Sequence, residues 1–400
     1  MILKERCQAF ASRITEAQRD GYYPYFRPIA CSSGPEVEVN GKRLVMIGSN
    51  DYLGLSHDPR VVAKAAAAMT QWGTGPGGSR FLSGNLTLHT IAEERLAEFV
   101  GKKKAIIHTT GFQANLGAIG CLAGAGDFII FDRENHASLF EGCKSSRSRL
   151  FPFAHNSINS AKKQLTRARE KHPDGCAMLI TEGVFSMSGD VAPVAGLTQM
   201  KRDDPSLLIY LDDAHGLGVM GEGGRGTANH FGVSTDVDFI MGTFSKALAS
   251  IGGFIASDHE EILVYLKHHS RTLIFSAALP ASNTATVLAC LDVLAEEPER
   301  IDRLRAITRR VRAAYRDIGF HTQDSETPIV PILIGSEDKA YFFARDLFDR
   351  GVFALPAVFP AVPRGHAIIR TAYMSTHEDR QIDYVLEVLG QLAKQYHVRT

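Results

Sequence analysis

Short apolar runs alternate with amphipathic segments along most of this chain. The runs Ala105–Ile107, Phe128–Phe131, Met178–Ile180, Leu207–Leu211 and Phe239–Met241 are bounded by polar residues or glycine. Runs of that length and setting predict buried strands. Between them lie helix-like stretches, such as the one that places Leu88, Ile91, Ala92, Leu96 and Phe99 on a single face. Strand and helix in alternation predict an α/β fold whose large domain has a mostly parallel central sheet covered by helices. Beyond Leu279-Pro280 the pattern changes to a long helical stretch through Arg316, then a strand-like Ile329–Ile334 and further helix, strand and helix. This reads as a smaller C-terminal α+β domain. The expected organisation is an N-terminal arm over 1–45, a large domain over 46–284 and a small domain over 285–400. Within the arm, Tyr23-Pro24-Tyr25-Phe26-Arg27-Pro28 is expected to pack on something rather than to fold alone. No internal repeat of 20 to 50 residues interrupts the alternation.

Composition narrows the function. Four hundred residues with 44% hydrophobic and 22% charged content suit a globular chain with a sizeable core. Lys plus Arg (44) balances Asp plus Glu (44), so no net basic field favours nucleic acid or an anionic membrane. The first residues are charged and lack the apolar core of a signal peptide, and no stretch is apolar enough to span a bilayer, which sets the expectation of a cytoplasmic enzyme. Six cysteines without a Cys-x-x-Cys pair suggest reduced thiols and no metal site.

Two segments match Gly-x-Gly-x-x-Gly, Gly73–Gly78 and Gly221–Gly226. A dinucleotide fingerprint needs a strand directly before it and a helix directly after, because the helix N-terminus holds the pyrophosphate. The first segment follows an alanine-rich helical stretch and the second an irregular turn, so both are read as tight turns. The informative residues instead follow predicted strands, where open α/β sheets place their ligands. Asp212-Asp213-Ala214-His215-Gly216 follows the Leu207 strand, and Gly242-Thr243-Phe244-Ser245-Lys246 follows the Phe239 strand. Thr109–Asn115 opens a helix after the Ala105 strand, and its amides could hold a phosphate. Asn135-His136-Ala137-Ser138 follows the Phe128 strand. Each residue alone has a mundane reading as cap, surface lysine or core histidine. Together a lysine, an acid, two histidines and a glycine-opened helix form the parts list of a pyridoxal-phosphate (PLP) site.

These residues resemble the α-oxoamine synthases, PLP-dependent transferases of fold type I that join an amino acid to an acyl-CoA. The likeness runs nearly the whole chain, through Gly48–Leu55, Gly78–Gly84, Thr181–Asp190, Asp212–Gly216, Thr243–Lys246 and Ile369-Arg370. Within the family, Tyr25–Ile29 and Gly78–Gly84 look nearest to bacterial members that condense L-serine with palmitoyl-CoA to 3-oxosphinganine, CoA and CO2. Members that use glycine or alanine, including 8-amino-7-oxononanoate synthase and 2-amino-3-oxobutyrate CoA ligase, share the same catalytic residues. A non-catalytic PLP-fold subunit is the reading from another class, and the joint presence of Lys246, Asp212, His136 and His215 argues against it.

The resemblance implies a role for each residue. Lys246 would carry PLP as a Schiff base and later act as general base. Asp212 would face the pyridine nitrogen and keep it protonated. His215 and Ser186 would bond the phenolic oxygen, and His136 would stack on the ring. Asn50, His136 and Arg370 would orient the substrate carboxylate, the last through a planar, charged fork. Amides of Gly111 and Phe112, hydroxyls of Thr243 and Ser245, and Ser276 from a partner subunit would hold the phosphate. The expected partners are an amino acid, L-serine by preference, a long-chain acyl-CoA and a second copy in a homodimer, with no nucleic acid and at most peripheral membrane contact. Pro356–Pro363 would sit at the substrate entrance and tune acyl length.

Overall fold

The computed structural model describes residues 2–398, which pack into two compact units. Unit 1 takes the described residues through Ser49, Met187–Gly189, and the chain from Arg305 onward; unit 2 takes Asn50–Ser186 and Asp190–Leu304.

The chain enters unit 1 with helix α1 (Leu3–Arg19), of which only Ala17 is buried, and three short strands, β1 (Ile29–Ser32), β2 (Glu36–Val39) and β3 (Lys42–Met46). The aromatic segment between them is packed within this unit. Tyr22 lies against Tyr341 and Phe342, Tyr25 meets Tyr341 edge-on, and the Arg27 guanidinium sits 3.9 Å from the Phe348 ring centroid. The arm is thus held by aromatic faces rather than by a core of its own.

Unit 2 opens with α2 (Pro59–Trp72) and α3 (Thr87–Val100). An alternation follows: β4 (Lys104–His108), α4 (Gly111–Leu122), β5 (Phe128–Asp132), α5 (Ala137–Ser145), β6 (Arg149–Phe153), α6 (Ile158–Lys171), β7 (Ala177–Glu182), α7 (Val194–Asp203) and β8 (Leu207–Asp212). A one-turn helix α8 (Thr227–His230), then β9 (Phe239–Thr243), β10 (Gly253–Ser257), α9 (Glu260–His269), α10 (Arg271–Ile274) and α11 (Ala281–Glu296) complete it. Seven strands form one sheet in the order β4-β10-β9-β8-β7-β5-β6. It is parallel from β9 through β6, and β10 alone runs against its neighbours. The central strands are buried on both faces, which is why they appear as unbroken apolar runs. Both glycine-rich segments are turns. Gly73 caps the C-terminus of α2 at φ 79°, and Gly224 and Gly226 take φ of 77° and 102°.

The chain then forms α12 (Glu299–Ile318), β11 (Ile329–Gly335), α13 (Glu337–Asp349), β12 (Val352–Phe353), β13 (Leu355–Ala357), β14 (Ala367–Ala372) and α14 (Asp379–Gln395). In unit 1, β12 extends the β1-β2-β3 sheet and β11-β14-β13 make a second, antiparallel sheet. Sequence pattern places the domain change at 284/285, whereas the chain groups with unit 2 through Leu304. The physical reason is that α11 packs on α2 and α3, with Ala281 and Ala285 buried against Ala68. The long helix expected there is two helices, α11 and α12, separated at Glu297-Pro298 because proline cannot continue a helix.

Candidate active site

In unit 2 the chemistry gathers on one edge of the large sheet. β8 ends at Asp212, in register with Glu182 at the end of β7 and with Met241 of β9. Thr243 closes β9, and Ser245 and Lys246 follow at once. β5 ends at Asp132, four residues before His136, and β4 ends three residues before α4 begins at Gly111. β4 and β9 both oppose β10, so they point the same way, and all these termini lie at the carboxyl edge of the parallel strands.

Of the two adjacent acids, Asp212 is the one presented to this edge. Its Oδ1 accepts from the Ala214 amide at 3.0 Å and its Oδ2 from the Asn115 side-chain amide at 2.7 Å. Asp213 turns away to accept from the Thr227 amide and hydroxyl, both at 2.5 Å, and burial pushes its pKa up to about 6 against those bonds. It fastens the strand end to α8.

His136 is the N-cap of α5. Its Nδ1 accepts from the Ser138 amide at 3.2 Å and lies 2.8 Å from the Ser138 hydroxyl, while the Phe112 ring meets it edge-on at 6.5 Å. Burial holds its imidazole below the usual pKa; Asp212 acts in the opposite sense and Lys246 in the same sense. The His136 amide donates to Glu182 Oε1 at 2.5 Å. Glu182 is fully buried beside Asp212, and burial with that negative neighbour raises its pKa well above the carboxylate range. The shared influence of Asp212 and Lys246 on both groups brings the acid and the amine into one electrostatic neighbourhood.

His215 meets the buried Tyr52 hydroxyl through Nδ1 at 2.7 Å, and the same hydroxyl lies 3.2 Å from Asn50 Oδ1. At α4, the Thr110 hydroxyl caps the Gln113 amide, which leaves the first-turn amides of Gly111 and Phe112 without a capping side chain. A Cβ on Gly111 would come within 2.8 Å of Thr243 Oγ1, so only glycine lets this helix start close against the end of β9. Thr243 and Ser245 hydroxyls are 3.0 Å apart. Ser276 accepts from the Gln113 side chain at 3.3 Å within the same chain. Ser186 lies on the turn after β7, where Val184 pairs with Val191. Arg370 lies on β14 of unit 1 and lines a cavity of about 1160 Å³ there.

The donor set fits PLP. Helix amides and hydroxyls suit a phosphate dianion, a buried acid suits a protonated ring nitrogen, and an amine suits an aldehyde. Asn115, Ser138, Tyr52 and Glu182 were not singled out individually by sequence, although all four stand inside segments that were. No group of three or more potential metal ligands occurs among the described residues.

The class I and II aminotransferase family matches residues 42–389. A serine palmitoyltransferase of Sphingobacterium spiritivorum is 40% identical over 100% of this chain and 98% of its own. The chain belongs to this family, as an α-oxoamine synthase. An 8-amino-7-oxononanoate synthase of Thermoanaerobacter pseudethanolicus is 36% identical to this synthase, over 96% of the chain and 97% of the relative. Among solved structures, a serine palmitoyltransferase from S. paucimobilis with a PLP–myriocin aldimine bound superposes with TM-score 0.94 at 29% identity, covering 100% of both chains. The expected fold and the expected PLP dependence of the synthase both stand.

Proposed function

We propose that this synthase joins L-serine to palmitoyl-CoA and gives 3-oxosphinganine, CoA and CO2. The serine Cα–H bond breaks, and a bond forms between Cα and the thioester carbonyl carbon as the bond from that carbon to CoA sulfur breaks and the thiolate takes up a proton. The bond from Cα to the carboxylate then breaks, with a proton returning to Cα. The observation that carries the chemistry is the convergence of Lys246, Asp212 anchored on both oxygens, and the open first turn of α4 on one sheet edge.

PLP, when bound, supplies an electron sink for the pair left on Cα when one of its bonds breaks. Lys246 Nζ would hold the cofactor aldehyde and, as a free amine, would take the Cα proton as general base. Asp212 stabilises the proton on the ring nitrogen. His215 and Ser186 bond the phenolic oxygen. By the family resemblance His136 would cover the cofactor and, with Asn50, would hold the serine carboxylate so that the bond to be broken is aligned with the electron sink; the resemblance gives Arg370 the same carboxylate-holding role. Gly111 and Phe112 amides, the Thr243 and Ser245 hydroxyls, and Ser276 from the second copy of a homodimer take the phosphate. Catalysis of this kind suits a cytoplasmic enzyme with at most peripheral membrane contact; no helix among the described residues is long and apolar enough to cross a membrane.

A long acyl chain is favoured over the short acids of related synthases by the cavity of unit 1. It is lined by Phe10, Ile14, Tyr22, Phe353, Leu355 and Phe359, and includes much of the Pro356–Pro363 segment. At about 1160 Å³ it is somewhat larger than the ~300–1,000 Å³ typical of small-molecule sites. The test is CoA release with serine, glycine, alanine and threonine against a ladder of acyl-CoAs. Serine with the C16 thioester should give the highest kcat/KM; a clear preference for alanine or glycine, or for a short dicarboxylic thioester, overturns the assignment.

A further inference from the structure

We infer that Asn115 is a positioning residue: it ties Asp212 to His136 through Ser138 and leaves the His136 proton on Nε2, facing the ligand. The inference rests on the roles of Asp212 and His136 given above.

Asn115 lies in the second turn of α4 and is completely buried. Its Nδ2 donates to Asp212 Oδ2 at 2.7 Å and to Ser138 Oγ at 2.9 Å, and its Oδ1 accepts from the Tyr210 hydroxyl at 2.8 Å. Both amide protons and the carbonyl are therefore in use. Turning the amide over would set its oxygen against a carboxylate that has no proton to give, so only one orientation is stable. Ser138 Oγ, already accepting from Asn115, directs its own proton to His136 Nδ1 at 2.8 Å, where the Ser138 amide also donates. An Nδ1 that accepts twice carries no hydrogen, so the neutral ring holds its proton on Nε2. Burial of the imidazole acts in the same direction, by disfavouring the doubly protonated ring.

One buried side chain thus serves two ends of the site. It immobilises the carboxylate that meets the ring nitrogen, and through a hydroxyl it sets which nitrogen of the stacking imidazole is the donor. The helix that carries it also presents the Gly111 and Phe112 amides, so phosphate site, acid and imidazole share one rigid support.

Holoenzyme labelled with 15N-histidine tests this, with His136→Asn identifying the ring signals. The unaltered protein should show a non-protonated Nδ1 and a protonated Nε2. Ser138→Ala should move the Nδ1 signal and leave the cofactor absorption and its pH profile in place, and Ser138→Thr should restore the signal. Asn115→Ala should move both the imidazole signals and the pH profile of cofactor absorption, and should lower kcat by about 10–100-fold, the size seen when partners of a binding group are removed, with less change in KM. Asn115→Ser, smaller but polar, gives the same readouts if the alanine variant does not fold. Unchanged imidazole signals and cofactor profile in a folded Asn115 variant, or a proton on Nδ1 in the unaltered protein, overturn the inference. Borohydride reduction and peptide mapping keep the two questions apart: a pyridoxyl group away from Lys246 in the unaltered protein defeats the underlying reading, whereas one on Lys246 leaves only the Asn115 relay at stake.

Discussion

Two imidazoles stand near neighbouring strand ends of the large sheet, and their surroundings give them opposite characters. His136, after β5, accepts hydrogen bonds at Nδ1 and is held neutral by burial, with Lys246 adding to that and Asp212 opposing it. His155, after β6, has Asp132 Oδ1 3.0 Å from Nδ1 and Asp190 Oδ2 2.9 Å from Nε2, with Glu134 at 3.8 Å and the Phe185 ring edge-on at 4.4 Å. Burial opposes a charge on His155, but the bonds to the two aspartates outweigh it and push its pKa up to about 10. Asn156 adds an amide to each acid, donating from its backbone to Asp132 and from its side chain to Asp190. A ring with acids on both nitrogens is a structural cation that clips the β6 loop to the turn after β7. A ring with one nitrogen accepting keeps the other as a donor for a ligand. Residue type and strand-end position are the same in both; the partners decide.

The contrast predicts that the two regions fail in different ways. The largest effect is expected at Lys246. Lys246→Ala should cut turnover by at least about 10²–10⁴-fold, as for loss of a general base, and should abolish borohydride trapping, while the melting temperature of apoprotein moves by less than about 3 °C. Collapse of the fold on that substitution would erase the distinction. His155→Gln should do the reverse. It leaves one buried and one partly buried acid without their cation, at a cost of about 2–4 kcal/mol in denaturant unfolding, while turnover per folded molecule is retained. The pH dependence has a definite sign. Because the folded pKa is raised, the contribution of His155 is complete below its unfolded value near 6.5 and is lost as pH rises through about 10. Unfolding midpoints measured from pH 6 to 10 should therefore fall less steeply in His155→Gln than in the unaltered protein. The smallest effect is expected at Glu182. A carboxyl raised well above its usual range resembles an amide in charge, so Glu182→Gln should keep an acceptor for the His136 amide and change stability by less than about 1 kcal/mol. A large loss would mean that Glu182 is ionised in the fold.

Local pattern revealed the strand ends because apolar runs report burial directly, and each polar group that follows such a run is placed by chain geometry alone. That suffices for Lys246, Asp212, His215 and His136. Pattern did not reveal the bonds that set their states. Asn115 and Asp212 are 97 residues apart, Tyr52 and His215 163 apart, and neither pairing leaves a trace in spacing. Strands were legible unevenly: the edge strand β4 stood out as an apolar run, whereas the edge strand β6 and the interior strand β10 did not. β6 contains Pro152, which a central strand excludes but an edge tolerates; β1 and β2 lack an apolar run, and the run Leu44-Val45-Met46 of β3 falls at the end of the segment expected to be an arm. The Glu297-Pro298 break between α11 and α12 was visible as a proline, but helical periodicity on both sides masked it.

That His136 caps α5 affects how the position can be probed. Alanine there would remove the ring and also fray the first turn, at a cost of about 0.5–2 kcal/mol that has nothing to do with chemistry. Asparagine keeps a capping oxygen and deletes only the imidazole. The difference between the two replacements, rather than either alone, measures what the ring itself contributes.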